Sequence, residues 1–285
     1  MRLHRSALPG LISAAILALL TAAALIPGAI ATRDPLAQDI GMRLQPPGGS
    51  RLFGTDGFGR DVFSRVVHGA RASLGIGFLG FGLASVLGIL SGTVSAYRGG
   101  VFDLVFQRAI DMFLGFPFLV LALVIVVGLG SSAASIGLAI AVALAPQVAR
   151  VARAAALQVK VEMYVEAARL SGASSQRIIF RHLLPNAFPP ILAQITGCFG
   201  TAVAAEATLS FLGLGVSPPF PSWGLMLQEG ARQYLESAPW IAMCPGAALS
   251  LTVLCAALLG DALRDVLDVR GPSRAGHDSR RRDAA

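Results

Sequence analysis

Very few side chains in this 285-residue sequence are spaced for covalent chemistry. Nucleotide hydrolysis through a P-loop needs a lysine behind a glycine-rich turn, and the single lysine, Lys160, follows Leu157, Gln158 and Val159. His4, His68, His182 and His277 are scattered without zinc-ligand spacing, and no GxSxG-like nucleophile setting occurs. Asp56 and Asp61 stand among Gly54, Gly57 and Gly59, but the ladder of oxygen ligands that a calcium loop requires is missing. Cys198, Cys244 and Cys255 are odd in number and sit within apolar runs, so they read as small packing residues. No catalytic residue, metal ligand or bound cofactor is expected. Two polar residues inside one apolar run, Gln194 and Glu206, are candidates for lining a solute pathway, because an ionisable group within a span is functional by default. Glu206 lies about 25 Å along a helix from Pro189. That depth is near the outer membrane boundary, where its carboxylate could snorkel or bond irregular backbone at Gly213 and Gly215.

The elements that would hold these residues are membrane spans. With 54% hydrophobic and 14% charged residues, the chain has more apolar surface than a soluble core could hide. Six runs, near residues 9–31, 73–96, 112–130, 132–151, 188–212 and 239–260, are long enough to cross a hydrocarbon core as helices. The expected fold is all-α and polytopic, with six transmembrane helices. It divides into an N-terminal segment with the first span (1–31), an extracytoplasmic loop with an interfacial helix (32–72), a five-helix core (73–265) containing a cytoplasmic loop (160–187), and a basic tail (266–285). The first run ends in Ala29-Ile30-Ala31 but exceeds the apolar core of a signal peptide, about 7 to 15 residues, so it reads as a retained span.

Several local expectations follow from spacing. Val62, Phe63, Val66, Val67 and Ala70 recur at helical intervals opposite Arg60, Arg65 and Arg71, which suggests an interfacial helix feeding the second span. Gly80, Ala84, Gly88, Gly92 and Ala96 place a small residue at every fourth position, so another helix or another subunit can approach closely. Arg98–Asp111 reads as a short inner loop with an Arg108–Asp111 pair, and Pro117 and Pro146 permit kinks in the third and fourth spans. Trp223 and Trp240 flank a short amphipathic helix, Leu225–Leu235, as an interfacial aromatic belt would. Arg264 is spaced for ion pairs with Asp261 and Asp268, and residues 271–285 read as a disordered basic tail.

An even number of spans puts both termini on one side, and the positive-inside tendency places that side in the cytoplasm. On that arrangement the cytoplasmic side holds two basic residues before the first span, two at Arg98 and Arg108, six between Arg150 and Arg181, and six from Arg264 onward. Six of the seven basic residues left outside crowd between Arg33 and Arg71, against the tendency. The formal charge of +7 is explained by these membrane-flanking loops and by Arg280–Arg282, so nucleic acid is not an expected partner and the lipid bilayer is.

The most informative stretch is Glu162–Asn186, a polar interlude between apolar runs. Met163, Ala167 and Leu170 form an apolar stripe, Gly172 can end a helix, Ser174 or Ser175 can cap a second one, and Pro185 would stop it. Arg177 and Arg181 are four residues apart, a like-charge pair that an acidic partner or lipid headgroups would relieve. Glu166, Ala167 and Ala168, then Gly172, then Leu184 and Pro185 resemble the EAA loop of permease subunits of ATP-binding cassette (ABC) importers. The form RHLLPN, with His182 where isoleucine is common, resembles the dipeptide, oligopeptide and nickel branch. The block LFGTDGFGRDVFSRVVHGARASL resembles the C-type permease of that branch, and Glu206 followed by LSFLGLG is a further similarity.

The resemblance, covering about Leu52 to Asp268, implies a type I ABC importer permease fold. It implies a heterodimer with a homologous B-type permease, two ATP-binding subunits that use the ATP, and an extracytoplasmic substrate-binding protein. It implies an ATPase-coupling role for Glu166, Ala167, Ala168, Gly172, Arg177, Arg181, Leu184 and Pro185. For Glu206 it favours a structural role over recognition, since the motif accompanies different substrates. The solute would be a di- or oligopeptide, nickel or a related small molecule. A secondary transporter would show mid-bilayer coupling-ion residues or an inverted repeat, and neither is found. A membrane scaffold would tolerate loss of the inner loop.

Overall fold

A computed structural model describes residues 3–268, and no strand element is present among them. The helices are α1 (Leu3–Leu25), α2 (Pro27–Ile30), α3 (Val62–Arg98), α4 (Gly100–Leu114), α5 (Phe118–Leu129), α6 (Ala133–Lys160), α7 (Met163–Leu170), α8 (Ser175–Ile178), α9 (Leu184–Leu209), α10 (Trp223–Gln233) and α11 (Trp240–Asp268). Five of them, α1, α3, α6, α9 and α11, belong to helices long and apolar enough to cross a membrane, and the pair α4 and α5 makes a sixth if the two count as one bent span. The tail expected beyond residue 268 lies outside the described residues.

The main core forms where α3 lies along α6, with α9 and α5 closing around them. The stripe of small residues makes this possible, and its neighbour is a helix of the same chain. A Cβ added to Gly80 would stand 2.8 Å from Ile140, and one on Gly88 would stand 2.6 Å from Val148, so a larger residue at either position would push the helices apart. A second cluster joins α1, α3, α10 and α11 around Trp223, with Ala24, Val62, Val66 and Ile241.

Helix boundaries follow side-chain caps. Asp61 accepts from the Ser64 N–H at 2.9 Å at the start of α3, Ser132 accepts from Ser135 N–H at the start of α6, and Ser222 accepts from Leu225 N–H at the start of α10. The helix expected to feed the second span is continuous with it: α3 runs unbroken for 37 residues. Arg65 is not on a headgroup-facing side either, being 1% exposed. It is drawn inward by carboxylates that spacing alone did not connect to it, Asp56 on the loop before α3 and Glu229 on α10.

The third span differs most. The residues expected to be an inner loop, 98–111, form α4, and the run 112–130 breaks between α4 and α5 with an 88° bend. Pro117 sits at the break, where it lacks an N–H and restricts the residue before it. Alone, the 12 residues of α5 reach about 18 Å, short of a hydrocarbon core of about 30 Å. The expected Arg108–Asp111 pair is replaced by pairs to α6: Arg150 binds Asp111, and Arg153 Nε donates to Asp103 Oδ1 at 2.7 Å.

The two tryptophans also depart from expectation. Trp223 is not a lipid-facing belt residue, since it is buried and its indole N–H donates to the Val66 carbonyl at 2.9 Å, while Trp240 is partly buried and its indole N–H donates to the Thr55 carbonyl at 3.1 Å. They pin α10 and α11 to the start of α3 and the loop before it.

Candidate functional site

The stretch 162–186 folds as two short helices and a hinge. Helix α7 ends at Ser171, and Gly172 then takes a positive φ of 78°, a conformation that costs a residue with a Cβ about 1–2 kcal/mol. An added Cβ there would meet nothing within 4 Å, so the requirement is conformational rather than steric. Ser174 caps α8 by accepting from the Arg177 N–H. The expected stop at Pro185 does not occur. The helix instead widens into a π turn at Ile179–Leu183, in which the Leu184 N–H reaches the Ile179 carbonyl, and continues through Pro185 into α9. The wider turn carries the chain past a residue that cannot donate.

One side of this hairpin is fixed to the bundle. Val165, Ile178 and Leu183 are fully buried and pack with Ala96 at the end of α3 and Ala156 near the end of α6. Polar contacts reinforce the seat: Tyr97 Oη–H donates to Ser175 Oγ at 3.2 Å, and Lys160 Nζ donates to the Ala96 carbonyl at 2.7 Å. The side facing away is unusually apolar for exposed surface. Met163 and Leu170, expected to form the packing stripe, are 86% and 83% exposed, and Val161, Tyr164 and Phe180 accompany them. The true packing residue, Val165, was missed because periodicity does not say which of two apolar sides meets the core. It stands two residues from Met163 and three from Ala168, a signal that only the α3 and α6 ends resolve.

The structure brings most of the sequence-derived candidates to this outward side. Glu166, Ala167, Gly172, Arg177, Arg181 and Pro185 are exposed, with Ala168 and Leu184 partly covered. Glu166 occupies the first turn of α7, where the helix dipole favours a carboxylate. Among the described residues neither it nor Arg177 or Arg181 forms an ion pair.

The other two candidates lie outside the hairpin, twelve residues apart on α9. Gln194 accepts a hydrogen bond from Arg264, which replaces the expected local pairing of Arg264 with Asp261, and both line a cavity of about 180 Å³ with Gln147, Thr201 and Asp261. Glu206 neither snorkels nor reaches Gly213 or Gly215. It is fully buried and accepts from the Ser210 hydroxyl at 2.7 Å, one turn further along.

A further cluster went unread in the sequence. Arg51, Arg60 and Arg65 meet Asp56, Asp61 and Glu229 at the opposite end of the bundle, with Arg60 Nε donating to Asp56 Oδ2 at 2.6 Å. The alternation of charge in GTDGFGRD was the available signal; Glu229, more than 160 residues away, was not.

Comparison with known proteins agrees with this architecture. The chain is 40% identical to the dipeptide transport system permease protein DppC of Haemophilus influenzae, over 93% of this chain and 90% of that one. It is also 40% identical to the protein of the same name from Alkalihalophilus pseudofirmus, over 79% and 74%. Among solved structures, an inward-facing MetNI methionine ABC transporter superposes with a TM-score of 0.58 at 20% identity, covering 71% of this chain and 96% of that one, a likeness of fold. Residues 84–270 match the family model described as binding-protein-dependent transport system inner membrane component, and the chain belongs to that family.

Proposed function

We propose that this permease subunit forms half of the transmembrane pathway for short peptides, and that the hairpin at 162–186 is the surface through which separate ATPase subunits drive it. One observation carries the coupling reading. An apolar edge of Val161, Met163 and Leu170 is held almost fully exposed, next to Arg177 and Arg181, by a hairpin whose opposite side is firmly seated on α3 and α6. Such an edge marks a protein contact. Glu166, Ala167, Ala168, Gly172, Leu184 and Pro185 complete that contact.

The peptide as solute comes from the relatives named for dipeptide transport. The remaining partners follow from the resemblance: a B-type permease closing the other half of the pathway, two ATP-binding subunits, and an extracytoplasmic binding protein. ATP is used by the ATP-binding subunits, and this chain binds no cofactor. Gln194 is the pathway residue that the geometry favours, because it shares an open polar cavity with Gln147 and Thr201 within spans that otherwise face lipid or protein. Gly10 of α1 lies against Ala262 of α11, whereas Ala24 and Ile241 meet at the Trp223 end, so the start of α1 and the end of α11 lie at the hairpin's end of the bundle. We assign that end to the cytoplasm and read α1, which packs on α3 and α11, as part of the mature protein.

The test replaces Glu166 with alanine and Gly172 with valine in the co-expressed transporter, then measures dipeptide uptake and co-purification of the ATPase. Normal insertion with loss of both is expected. Full uptake in the double variant would remove the coupling reading. A cysteine at Met163, labelled by an impermeant maleimide only after permeabilisation, would support the orientation; labelling in intact cells would overturn it.

A further inference from the structure

Away from the hairpin, α1, α3 and α9 leave a groove of about 450 Å³ between them. Its walls are Leu25 on α1, Leu74 and Phe78 on α3, and Phe199 on α9, with Thr21 alongside and Arg71 at one end. Phe78 and Phe199 meet edge to face, their ring centroids 6.3 Å apart. Arg71, Leu74, Gly75 and Phe78 follow one another at helical intervals, so a single stripe of α3 runs from a cation into an apolar trough.

The depth of Arg71 is fixed by the sequence. Residues 72–97 carry no charge, about 39 Å of helix, which covers a hydrocarbon core of about 30 Å with a margin at each side. Arg71 therefore stands at headgroup level and Phe78 about 10 Å deeper, among acyl chains. Arg51, Arg60 and Arg65 nearby are each matched to carboxylates, but Arg71 has no Asp or Glu within ion-pair distance among the described residues. A guanidinium held there favours a bidentate anion. A cation at headgroup depth above an apolar trough is the inverse of one molecule, a phospholipid with an anionic head.

We propose that this groove is a binding site for an anionic phospholipid of the leaflet at the Trp223 end, with Arg71 on the phosphate and an acyl chain along Leu74, Phe78 and Phe199. The proposal rests on membrane embedding alone and is independent of the coupling role of the hairpin. Gly75 gives the site a clean steric probe. A Cβ added there meets nothing within 4 Å and Gly75 lines the groove, so Gly75→Leu extends a side chain into it from a clash-free Cβ and raises helix propensity.

The experiment uses the assembled transporter in detergent, with lipid adducts counted by native mass spectrometry and thermal stability followed as phosphatidylglycerol, phosphatidylcholine or inorganic phosphate is added. Both lipids offer Arg71 a phosphodiester, but only phosphatidylcholine adds a quaternary ammonium that repels the guanidinium and offsets the phosphate charge, so phosphatidylglycerol should bind the parent protein with roughly tenfold preference. Arg71→Gln should erase that preference while leaving an adduct, Arg71→Lys should keep part of it, and Gly75→Leu should remove the adduct. Retention of the full preference in Arg71→Gln would overturn the proposal. So would an equal stabilisation by inorganic phosphate alone, or a cross-link from Gly75→Cys, carrying a thiol-attached photoreactive label, to another subunit, which would show a protein helix in the groove.

Discussion

At the Trp223 end of the bundle three arginines and three carboxylates close on one another, whereas at the hairpin end Glu166, Arg177 and Arg181 reach into solvent beside exposed Met163 and Leu170. Both regions are rich in charge for a membrane protein, but only one is complete within this chain. The first ties the loop before α3 to α10 through Glu229 and holds that end as a single unit. The second is firm where it touches α3 and α6 and unfinished everywhere else. Permeases of this family work with an ATPase and a binding protein, and the asymmetry suits an element that is moved from one end while the other keeps its internal shape.

Breaking the complete end should have the largest effect on stability. Arg65→Ala removes a buried guanidinium that stands 3.4 Å from Glu229 and 3.5 Å from Asp56, leaving carboxylates without full compensation. A loss of about 3 kcal/mol is expected from the removal of one partner of a buried pair, measured as a lower melting temperature of the solubilised protein. If Arg65→Ala melts like the parent, the cluster is not a structural tie and the contrast between the ends fails. The hinge of the hairpin should respond less. Gly172→Ala forces a Cβ into a positive-φ position and should cost about 1–2 kcal/mol, confined to local opening of the hairpin. Hydrogen exchange at Ala173 and Ser174 should rise while exchange in α3 and α6 stays unchanged.

The sequence made the spans, the small-residue stripe of α3 and the two-helix form of the hairpin legible, because each rests on local periodicity or on one cap or glycine. It did not reveal which way the hairpin faces. Met163, Ala167 and Leu170 make as good an apolar stripe as any core helix, and a surface reserved for a partner has the same composition as one reserved for the chain's own interior. Nor could spacing show that Arg65 turns inward, since Glu229 lies 164 residues away. That pairing also bears on the basic crowding between Arg33 and Arg71, which opposed the expected orientation: Arg51, Arg60 and Arg65 are structural residues of the folded Trp223 end rather than free flanking charge. Pro185 and Pro117 show the two outcomes open to a proline. A π turn absorbs the first, and the second stands at an 88° bend. The choice is made by tertiary packing, not by the residue.

At the unfinished end, substitutions should separate function from stability. Met163→Ser with Leu170→Ser removes exposed apolar surface and should change stability by no more than about 0.5 kcal/mol, yet uptake and ATPase co-purification should fall together. Loss of stability with unchanged co-purification would mean that these residues support the fold and not a partner.

The smallest effect comes from the paired arginines. Arg177 and Arg181 are exposed, four residues apart, and neither forms an ion pair among the described residues. Arg181→Glu turns a like-charge pair into an opposite one, so the isolated subunit should gain about 0.3 kcal/mol at low salt, and the gain should fade as salt is raised. If the pair is kept because an acidic partner surface meets it, the same substitution should weaken ATPase binding. A variant that is more stable alone and poorer in assembly would be the sharpest form of the contrast between the two ends, because no structural role for Arg181 yields opposite signs. Equal assembly would leave the arginines as solvated charge and narrow the contact to the apolar edge.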